Sequence, residues 1–248
     1  MSKVAVIAGG SAGIGRACAL ALVAAGWNVT VFARRPERFD AVLAAGVHCA
    51  ACDVGDAAAV QAAFEEVSAR HPDGIDLLVN AAGVIRNGRL ETLSPDDIAA
   101  VVRSNVLGTM FTSRAALPLL TQRRGVIVNL SSALANLPVP GSSVYVATKG
   151  AVDAFTRALA IDTGPAGVRV VSIQPGLVRS DIWASAGMDD QAYERMLADR
   201  ARAYPLKRTG EPEEIAALVM YLASDAAGWI TGAVIPIDGG SSVARLTA

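Results

Sequence analysis

The chain has 248 residues, of which 52% are hydrophobic, and its formal net charge is −1 at pH 7. This length and composition allow a sizeable buried core, and the balance of charge gives no electrostatic reason to expect nucleic acid or an anionic membrane as a partner. No segment approaches the roughly 18 consecutive apolar residues of a membrane span. The apolar segment 17–29 is broken by Gly26 and Asn28, so we expect a soluble, cytoplasmic protein without a secretory signal.

Seven short apolar segments rich in valine and isoleucine recur along the chain, with helical segments between them. They are residues 4–8, 29–33, 47–51, 77–79, 126–130, 168–173 and 234–237. Their continuous apolar character is typical of strands buried on both faces of a parallel sheet. The alternation of strands and helices predicts a single α/β domain over residues 1–248, with a doubly wound Rossmann-type sheet of about seven parallel strands flanked by helices.

The first strand leads into a glycine-rich segment, residues 8–15, and a helix is predicted to begin near Arg16. Glycines here permit a tight turn and a close approach of the backbone to a pyrophosphate, and a helix N-terminus offers free N–H groups to phosphates. The position of the segment between a strand and a helix therefore predicts a dinucleotide site. The predicted contacts in this segment are Gly9, Ser11, Gly13, Ile14 and Gly15.

The second strand ends in a neutral residue followed by two arginines, Ala33, Arg34 and Arg35. Enzymes that prefer NAD usually have an acidic residue here, which binds the ribose 2′-hydroxyl. Arginine instead suits the oxygens of a 2′-phosphate, so we expect NADP(H) to be preferred, with NAD(H) possible. Arg34 is predicted to bind the 2′-phosphate and Arg35 to stack beside the adenine, although a solvated pair of surface charges is the alternative interpretation.

Three cysteines, Cys18, Cys49 and Cys52, are too few to predict a disulfide framework. The C-x-x-C pattern of Cys49 and Cys52 could indicate redox or zinc chemistry. The pair falls at the end of the third predicted strand, where residues three apart point to opposite faces, and only His48 and His71 could add ligands. Buried structural cysteines are favoured, and no metal site is predicted.

A long helix is predicted from Ser94, with Ser94 as its N-cap and Pro95 at its first position, and it extends to Thr121. Asn105 interrupts this helix and would, without other information, mark a kink. Another helix begins at Pro212, where two glutamates follow and favour the positive end of the helix dipole.

Tyr145 and Lys149 form a Y-x-x-x-K pattern in a segment, residues 145–164, that is predicted to be helical. The spacing of four residues places both side chains on one helix face. Taken alone, the pattern also fits an ordinary helix. Ser132 adds weight, because it lies at the end of the fifth strand, where the carboxyl edge of an open α/β sheet borders the ligand crevice.

The spacing G-x-x-x-G-x-G of residues 9–15, together with Y-x-x-x-K, resembles the short-chain dehydrogenase/reductase family. The resemblance extends along nearly the entire chain, to the C-terminal segments 230–232 and 238–240. Within that family, the chain is similar in particular to members of the 3-oxoacyl-[acyl-carrier-protein] reductase type. Two positions depart from the family pattern, since Ala8 and Ser180 stand where relatives usually carry threonine.

The resemblance implies further cofactor contacts. Residues 53–54 resemble the pair that receives the adenine, residues 80–83 the turn after the fourth strand, and residues 175–180 the loop that holds the nicotinamide carboxamide. The implied contacts are Asp53, Val54, Asn80, Ala81, Gly83, Tyr145, Lys149, Pro175, Gly176, Val178 and Ser180.

The resemblance also implies hydride transfer between a carbonyl and a secondary alcohol, with four catalytic residues: Asn105, Ser132, Tyr145 and Lys149. Tyr145 would act as general acid and base, because the alkoxide formed by hydride addition needs a proton donor. Lys149 would lower the pKa of the phenol and bind the nicotinamide ribose. Ser132 would bind the substrate oxygen, and Asn105 would hold a water that links Lys149 to solvent.

Two other functions are weighed against this one. Longer relatives that are sugar epimerases or dehydratases share Y-x-x-x-K, but only eight residues follow Gly240, too few for their C-terminal substrate region. A catalytically silent nucleotide sensor would also keep the fold, and the presence of all four catalytic residues disfavours it.

The substrate is a small carbonyl or alcohol compound that the sequence does not identify. A lid is predicted over about residues 181–205, and its candidate contacts, equally compatible with packing, are Trp183, Met188, Tyr193 and Met196. The pocket near Ser132 is predicted to be apolar, with Leu134, Val139 and Val144.

Two partners are considered on the basis of the resemblance. An acyl carrier protein is possible, with Arg123 and Arg124 as a basic contact near the site entrance, but Ala166 stands where relatives have a second arginine. A homotetramer is expected, because the helix from Tyr145 is apolar or small outside the stripe of Lys149, Asp153 and Arg157.

Overall fold

A computed structural model describes residues 2–179 and 189–244 of the chain. Its strands are β1 Val4–Ala8, β2 Asn28–Ala33, β3 His48–Ala51, β4 Leu77–Asn80, β5 Val126–Leu130, β6 Arg169–Pro175 and β7 Val234–Ile237. They form one parallel sheet in the order β3-β2-β1-β4-β5-β6-β7. This confirms the predicted Rossmann-type fold with seven strands.

The helices flank the sheet on both faces. Their bounds are α1 Gly13–Ala24, α2 Asp40–Leu43, α3 Ala57–Arg70, α4 Pro95–Val102, α5 Gly108–Arg123, α6 Ser143–Thr163, α7 Asp190–Ala203 and α8 Pro212–Leu222. Every residue of β1, β4 and β5 is buried, which explains why these strands are continuous apolar segments.

The two faces of the sheet belong to two separate hydrophobic cores. Ala5 and Ile7 of β1 pack in one core with α1 and α8, whereas the alternate residues Val4 and Val6 pack in the other with α3 and α5. Successive side chains of a strand point to opposite faces, so a single apolar strand supplies both cores. The central strands are thereby held rigidly, and so are the loops that follow them.

The predicted bounds of β1, β5 and β7 match the structure, and those of the other strands differ by one or two residues. The start of α1 was predicted less well: it begins at Gly13 and not near Arg16. The reason is that the carbonyl of Ala12 accepts the first helical hydrogen bond from the N–H of Arg16, at 3.1 Å. The last glycines of the loop therefore already form the first helical turn.

The helical stretch predicted from Ser94 to Thr121 is found over residues 95–123, and a π-helical turn, residues 103–107, lies inside it between α4 and α5. Asn105 lies in this turn, and its side-chain amide donates to the carbonyl of Val84 at 3.0 Å and to Thr148 Oγ1 at 3.1 Å. The widened turn places these side-chain bonds inside the protein; π turns of this kind often occur at functional sites. The predicted N-cap is confirmed, since Ser94 Oγ accepts from the N–H of Asp97 at 3.1 Å.

Strands β1 and β4 are neighbours at the centre of the sheet, yet their connections leave on opposite sides. In open α/β sheets, a crevice forms at the carboxyl ends of the strands at such a switch in strand order. Here that crevice lies between the loop that begins at Gly9 and the loop that begins at Ala81. The two loops are tied together by the N–H of Ala81, which donates to the carbonyl of Ala8 at 2.9 Å.

Candidate active site

The glycine-rich loop after β1 is closely packed. Gly9 has φ +84°, and a Cβ atom there would lie 2.5 Å from the backbone nitrogen of Ala82. A Cβ atom on Gly15 would overlap the carbonyl oxygen of Gly9. Only glycine fits at these two positions, so the loop backbone itself forms the surface of the crevice.

The N-terminus of α1 faces this loop and has no capping side chain. Ala12 occupies the N-cap position without a side-chain hydrogen bond, and the first turn contains no acidic residue. By contrast, α3 and α4 are capped by Asp56 and Ser94. The N–H groups at the start of α1 and the positive end of its dipole are therefore available to an anionic group such as a pyrophosphate.

A cavity of about 590 Å³ extends along this loop. Its lining residues are Gly9, Ser11, Ala12, Gly13, Ile14, Gly15, Phe32, Ala33, Arg34, Arg35, Arg38, Cys52, Val54, Ala81, Ala82, Gly83, Val84, Ile85, Arg86 and Ser104. All five residues predicted from the glycine-rich segment line this cavity. The cavity thus combines an uncapped helix end with four arginines, Arg34, Arg35, Arg38 and Arg86, which suits a ligand with phosphate groups.

The residues predicted around the adenine are placed differently from one another. Val54 lines the cavity, whereas Asp53 is exposed, does not line it, and accepts a hydrogen bond on its Oδ1 from the N–H of Gly55 at 3.0 Å. Arg38 was missed by the sequence analysis. A turn of 3₁₀ helix from Pro36 to Arg38 returns the chain to the cavity, and the proline after Arg35 is the sequence signal for that turn.

Asn80 does not line the cavity, although its neighbours Ala81 and Gly83 do. Its side chain is buried in a polar network, where Nδ2 donates to Asn129 Oδ1 at 2.9 Å and Oδ1 accepts from Thr112 Oγ1 at 2.6 Å. This network joins β4 to β5 and α5. The side chain therefore fixes the end of β4, and the residues after it form the wall of the crevice.

Pro175 is the last residue of β6, and the loop that begins at Gly176 lies at the same carboxyl edge of the sheet. The N–H of Gly176 donates to the carbonyl of Ile237 at 3.0 Å, and Val178 is bridged to Gly210. Gly176 and Val178 line a separate small cavity of about 80 Å³. The predicted contact Ser180 lies outside the described residues.

The first part of the predicted lid, residues 181–188, also lies outside the described residues, and with it Trp183 and Met188. Tyr193 and Met196 are described, and both are half-buried on α7.

Three predicted catalytic residues come together where β5 ends and α6 begins. Ser132 follows the carboxyl end of β5, and Tyr145 and Lys149 lie in the first turns of α6. All three are buried, with 8%, 8% and 6% of their surfaces exposed. Ser132 lies close enough to Tyr145 to act on the pKa of its phenol. Lys149 Nζ donates to the carbonyl of Leu130 at 2.7 Å and lies 5.7 Å from the centre of the Tyr145 ring.

Burial changes the proton affinities of this pair in opposite directions. It raises the pKa of Tyr145 to about 12, and Ser132 opposes the rise. Burial lowers the pKa of Lys149 to about 8, and the nearby carboxylate of Asp153 opposes the fall. Burial disfavours the charged form of each group, so the ammonium of Lys149 loses its proton far more readily than an exposed lysine.

Asn105 is fully buried, and its side chain forms hydrogen bonds with the loop after β4 and with α6. Its Oδ1 accepts from the N–H of Val84 at 2.8 Å, and its Nδ2 donates to Thr148, the residue before Lys149. A Cβ atom on Gly83 would lie 3.3 Å from Asn105 Oδ1 and 3.7 Å from Lys149 Nζ. The wall of the large cavity therefore adjoins both Asn105 and Lys149. The water relay expected for Asn105 stays a prediction.

Arg123 and Arg124 do not lie near the entrance of this site. They precede β5, whereas Ser132 follows it, and a strand of five residues separates its two ends by about 16 Å. Arg123 is also paired with Asp76, at 3.2 Å. The two arginines therefore lie away from the Ser132 end of β5, and the contact with a carrier protein stays a prediction.

Cys18 and Cys52 have the surroundings of buried structural cysteines. Cys18 and Cys52 are buried, and burial raises the pKa of both thiols, to about 12 and about 11. Thiols with such pKa values are poor nucleophiles at neutral pH.

Within residues 2–179 and 189–244, no three histidine, cysteine or acidic side chains are grouped in a way that could hold a metal ion. Over the same residues, none of the helices has the length and apolar character needed to cross a membrane.

Known proteins resemble this chain over almost its full length. A family model described as enoyl-(acyl carrier protein) reductase matches residues 8–242. A 3-oxoacyl-[acyl-carrier-protein] reductase of Staphylococcus aureus is 37% identical over 248 residues, covering 97% of this chain and 98% of the relative. Carbonyl reductase family member 4 of Danio rerio is 34% identical over 244 residues, with the same coverage.

The fold also matches solved structures over almost the full length of the chain. An aldohexose dehydrogenase of Thermoplasma acidophilum, in ligand-free form, superposes with a TM-score of 0.92 at 29% identity. The match covers 100% of this chain and 96% of the other.

The close packing at Gly15 leads to a prediction. Gly15→Ala should weaken NADP(H) binding at least tenfold, because the added methyl group displaces the Gly9 carbonyl and with it the loop backbone. Isothermal titration calorimetry with the purified protein measures the change. Gly164→Ala is the matched control, since a Cβ atom at this helical position meets nothing within 4 Å in the described part of the chain. Equal affinities in the two variants would contradict the prediction.

Proposed function

The chain belongs to the short-chain dehydrogenase/reductase family of oxidoreductases, which use NAD(P)(H), and from this premise we propose that it interconverts a carbonyl and a secondary alcohol with NADP(H) as the preferred cofactor. The observation that carries the proposal is the buried group of Ser132, Tyr145 and Lys149 beside the cavity along the glycine-rich loop. A phenol and an ammonium close together, in a site that excludes water, suit proton transfer to an oxygen atom.

The residues of the cavity fit the cofactor. The loop at Gly9 and the N-terminus of α1 would hold its pyrophosphate, Val54 would contact the adenine, and Lys149 would bind the nicotinamide ribose. When bound, the cofactor supplies or accepts the hydride ion at the carbon of the carbonyl group.

The side chains of the site would handle the oxygen atom and its proton. Ser132 donates a hydrogen bond to the substrate oxygen and stabilises the negative charge that develops there. Tyr145 gives its proton to the same oxygen during reduction and takes it back during oxidation. The ammonium of Lys149 favours the phenolate form, and so lowers the high pKa that burial gives to Tyr145.

The preference for NADP(H) is supported by positive charge on one side of the cavity. Arg34, Arg35 and Arg38 all line it, and the neutral Ala33 lines it where an acidic residue would repel a 2′-phosphate. We assign the main contact with the 2′-phosphate to Arg34 because it follows β2 directly. Arg38 adds a third guanidinium to the same wall.

The proposed substrate is a free carbonyl compound with an apolar part. Val144 is buried at the start of α6, and Leu134 and Val139 are half-buried after Ser132. A 3-oxoacyl thioester is the second candidate, because the Staphylococcus aureus relative is named for that reaction. The position of Arg123 and Arg124 at the opposite edge of the sheet favours the free compound.

We also propose a homotetramer, for a reason that differs from the sequence argument. Lys149 and Asp153 are buried against the sheet and form no exposed stripe, while Arg157 is exposed. Most exposed positions of α6 carry small or apolar residues, namely Ala147, Gly150, Ala154, Ala158 and Ile161, beside the polar Ser143, Arg157 and Asp162. Ile161 is 78% exposed, and such a face calls for burial against another subunit.

Substitution of Tyr145 tests the mechanism. Tyr145→Phe should lower kcat by about 10²- to 10⁴-fold, the usual contribution of a general acid, and change the Kd for NADP(H) less than about threefold. Lys149→Ala should damage both, because Lys149 also contacts the ribose. The measurements are steady-state rates on a responsive ketone and fluorescence titration of the cofactor. A Tyr145→Phe enzyme with near-normal kcat would disprove the assignment.

A charge reversal tests the cofactor preference. Arg34→Asp should move the ratio of kcat/KM for NADPH and NADH towards NADH by about tenfold or more, because the carboxylate repels the 2′-phosphate and can bind the ribose hydroxyl. Arg70→Asp, at the exposed end of α3, is the control for the change in net charge. The prediction fails outright for a wild-type enzyme that already prefers NADH.

Light scattering at micromolar concentration tests the assembly. The wild-type mass should be about four times 25.4 kDa, and Ile161→Lys should reduce it, because a buried lysine disfavours the contact. A wild-type monomer would overturn the proposal.

A further inference from the structure

A buried carboxylate lies one helical turn after Lys149. Asp153 is only 5% exposed, and its two oxygens each accept one hydrogen bond from β6. Ser172 Oγ donates to Oδ1 at 2.7 Å, and Gln174 Nε2 donates to Oδ2 at 2.7 Å. Both donors are neutral, so these bonds orient the carboxylate without neutralising it. A buried charge is costly unless an opposite charge is near.

Lys149 is the buried cation on the same helix that can balance this charge. It precedes Asp153 by four residues, which places both side chains on the same face of α6. Both are at least nine-tenths buried, where charges act on each other more strongly than in water. The proposed mechanism assigns a role to Lys149 but none to Asp153.

The other groups that face Lys149 carry no full charge at neutral pH. On α6 the titratable neighbours are Tyr145, one turn before it, and Asp153, one turn after it. β5 presents the carbonyl of Leu130, and the loop after β4 and the π-helical turn present Gly83 and the amide of Asn105. Asp153 is thus the acidic group placed to balance the ammonium.

Asp153 is itself held in a chain of hydrogen bonds that reaches the loop after Ser132. Gln174 is 1% exposed, and its Oε1 accepts from Asn136 Nδ2 at 2.7 Å. The carboxylate determines which way the amide of Gln174 points, since only its Nε2 can donate to Asp153. The position of the carboxylate is therefore fixed from β6 on one side and from the loop on the other.

We propose that Asp153 is a positioning residue of the proposed reaction, whose carboxylate keeps Lys149 in its charged form beside Tyr145. This inference rests on the proposed function. Burial lowers the pKa of Lys149, and Asp153 opposes that fall. Without the carboxylate, Lys149 would lose its proton at a lower pH and would no longer stabilise the phenolate of Tyr145.

The test measures the titration of Lys149 directly. The chain has three lysines, Lys3, Lys149 and Lys207, so protein labelled with ¹³C at lysine Cε gives three signals, and Lys149→Arg assigns one of them. Lys3 and Lys207 are exposed and serve as internal references. Asp153→Asn keeps the size of the side chain and removes its charge. We expect the titration midpoint of Lys149 to fall by about one pH unit.

Ser172→Ala is the matched control. It removes one of the two hydrogen bonds to the same carboxylate and leaves the charge, so a purely structural role of Asp153 would make the two variants alike. The midpoint of Lys149 should stay at its wild-type value in Ser172→Ala. If Asp153→Asn does not fold, Asp153→Ser repeats the test, since a hydroxyl still accepts a hydrogen bond from β6.

Activity gives a second, independent result. The fall of kcat/KM at high pH should shift to lower pH in Asp153→Asn by the same amount as the midpoint of Lys149. An unchanged midpoint in Asp153→Asn overturns the inference, even if the variant is slow. The midpoint is measured without substrate or cofactor, so it decides the inference separately from the proposed function, which a wild-type chain that reduces no carbonyl compound would overturn.

Discussion

The site depends on one buried interaction, the hydrogen bond from the ammonium of Lys149 to the carbonyl of Leu130 at the end of β5. An ammonium in an apolar interior is costly, and this chain holds it with a backbone carbonyl, a nearby carboxylate and the face of a tyrosine ring. The contact fixes α6 against β5, so that Tyr145 lies beside Ser132. Burial makes the charge of Lys149 sensitive to its charged neighbours, and it also raises the pKa of Tyr145. Proton transfer near neutral pH therefore requires the two groups together.

The cavity next to this group results from the order of the strands. Because β1 and β4 are neighbours with diverging connections, their loops form two walls of one crevice. The uncapped end of α1 and the loop at Gly9 provide the part suited to phosphate groups, and the arginines after β2 extend it. Gly83 belongs to the wall of this cavity and lies against Lys149 and Asn105, which connects cofactor binding to the chemistry.

The strands and the pairing of Tyr145 with Lys149 could be predicted from the sequence, because each depends on a local pattern. Strands buried on both faces are continuous apolar segments, so β1 and β5 were found with their correct ends. The ends of β7 were also correct, although this strand is only partly buried. The side chains of Tyr145 and Lys149 meet because a helix repeats every 3.6 residues. The rest depends on tertiary contacts that no local pattern encodes. In the π-helical turn, Asn105 bonds to two distant segments, and Arg38 lines the cavity at the end of the 3₁₀ turn that begins at Pro36. Arg123 and Arg124 precede β5 as predicted, and only the sheet shows that they lie at the edge opposite to Ser132.

In the proposed reaction, hydride moves between NADP(H) and the carbon of a carbonyl group in this site. The decisive experiment offers the wild-type enzyme NADPH deuterated at C4 of the nicotinamide, on either face, with a panel of ketones, sugars, steroids and acyl thioesters. Mass spectrometry of the products then locates the label. We expect that one of the two deuterated cofactors gives an alcohol with a single deuterium on the carbinol carbon. Alcohol formed without deuterium from both cofactors, or no alcohol from any member of the panel, would contradict the proposed reaction.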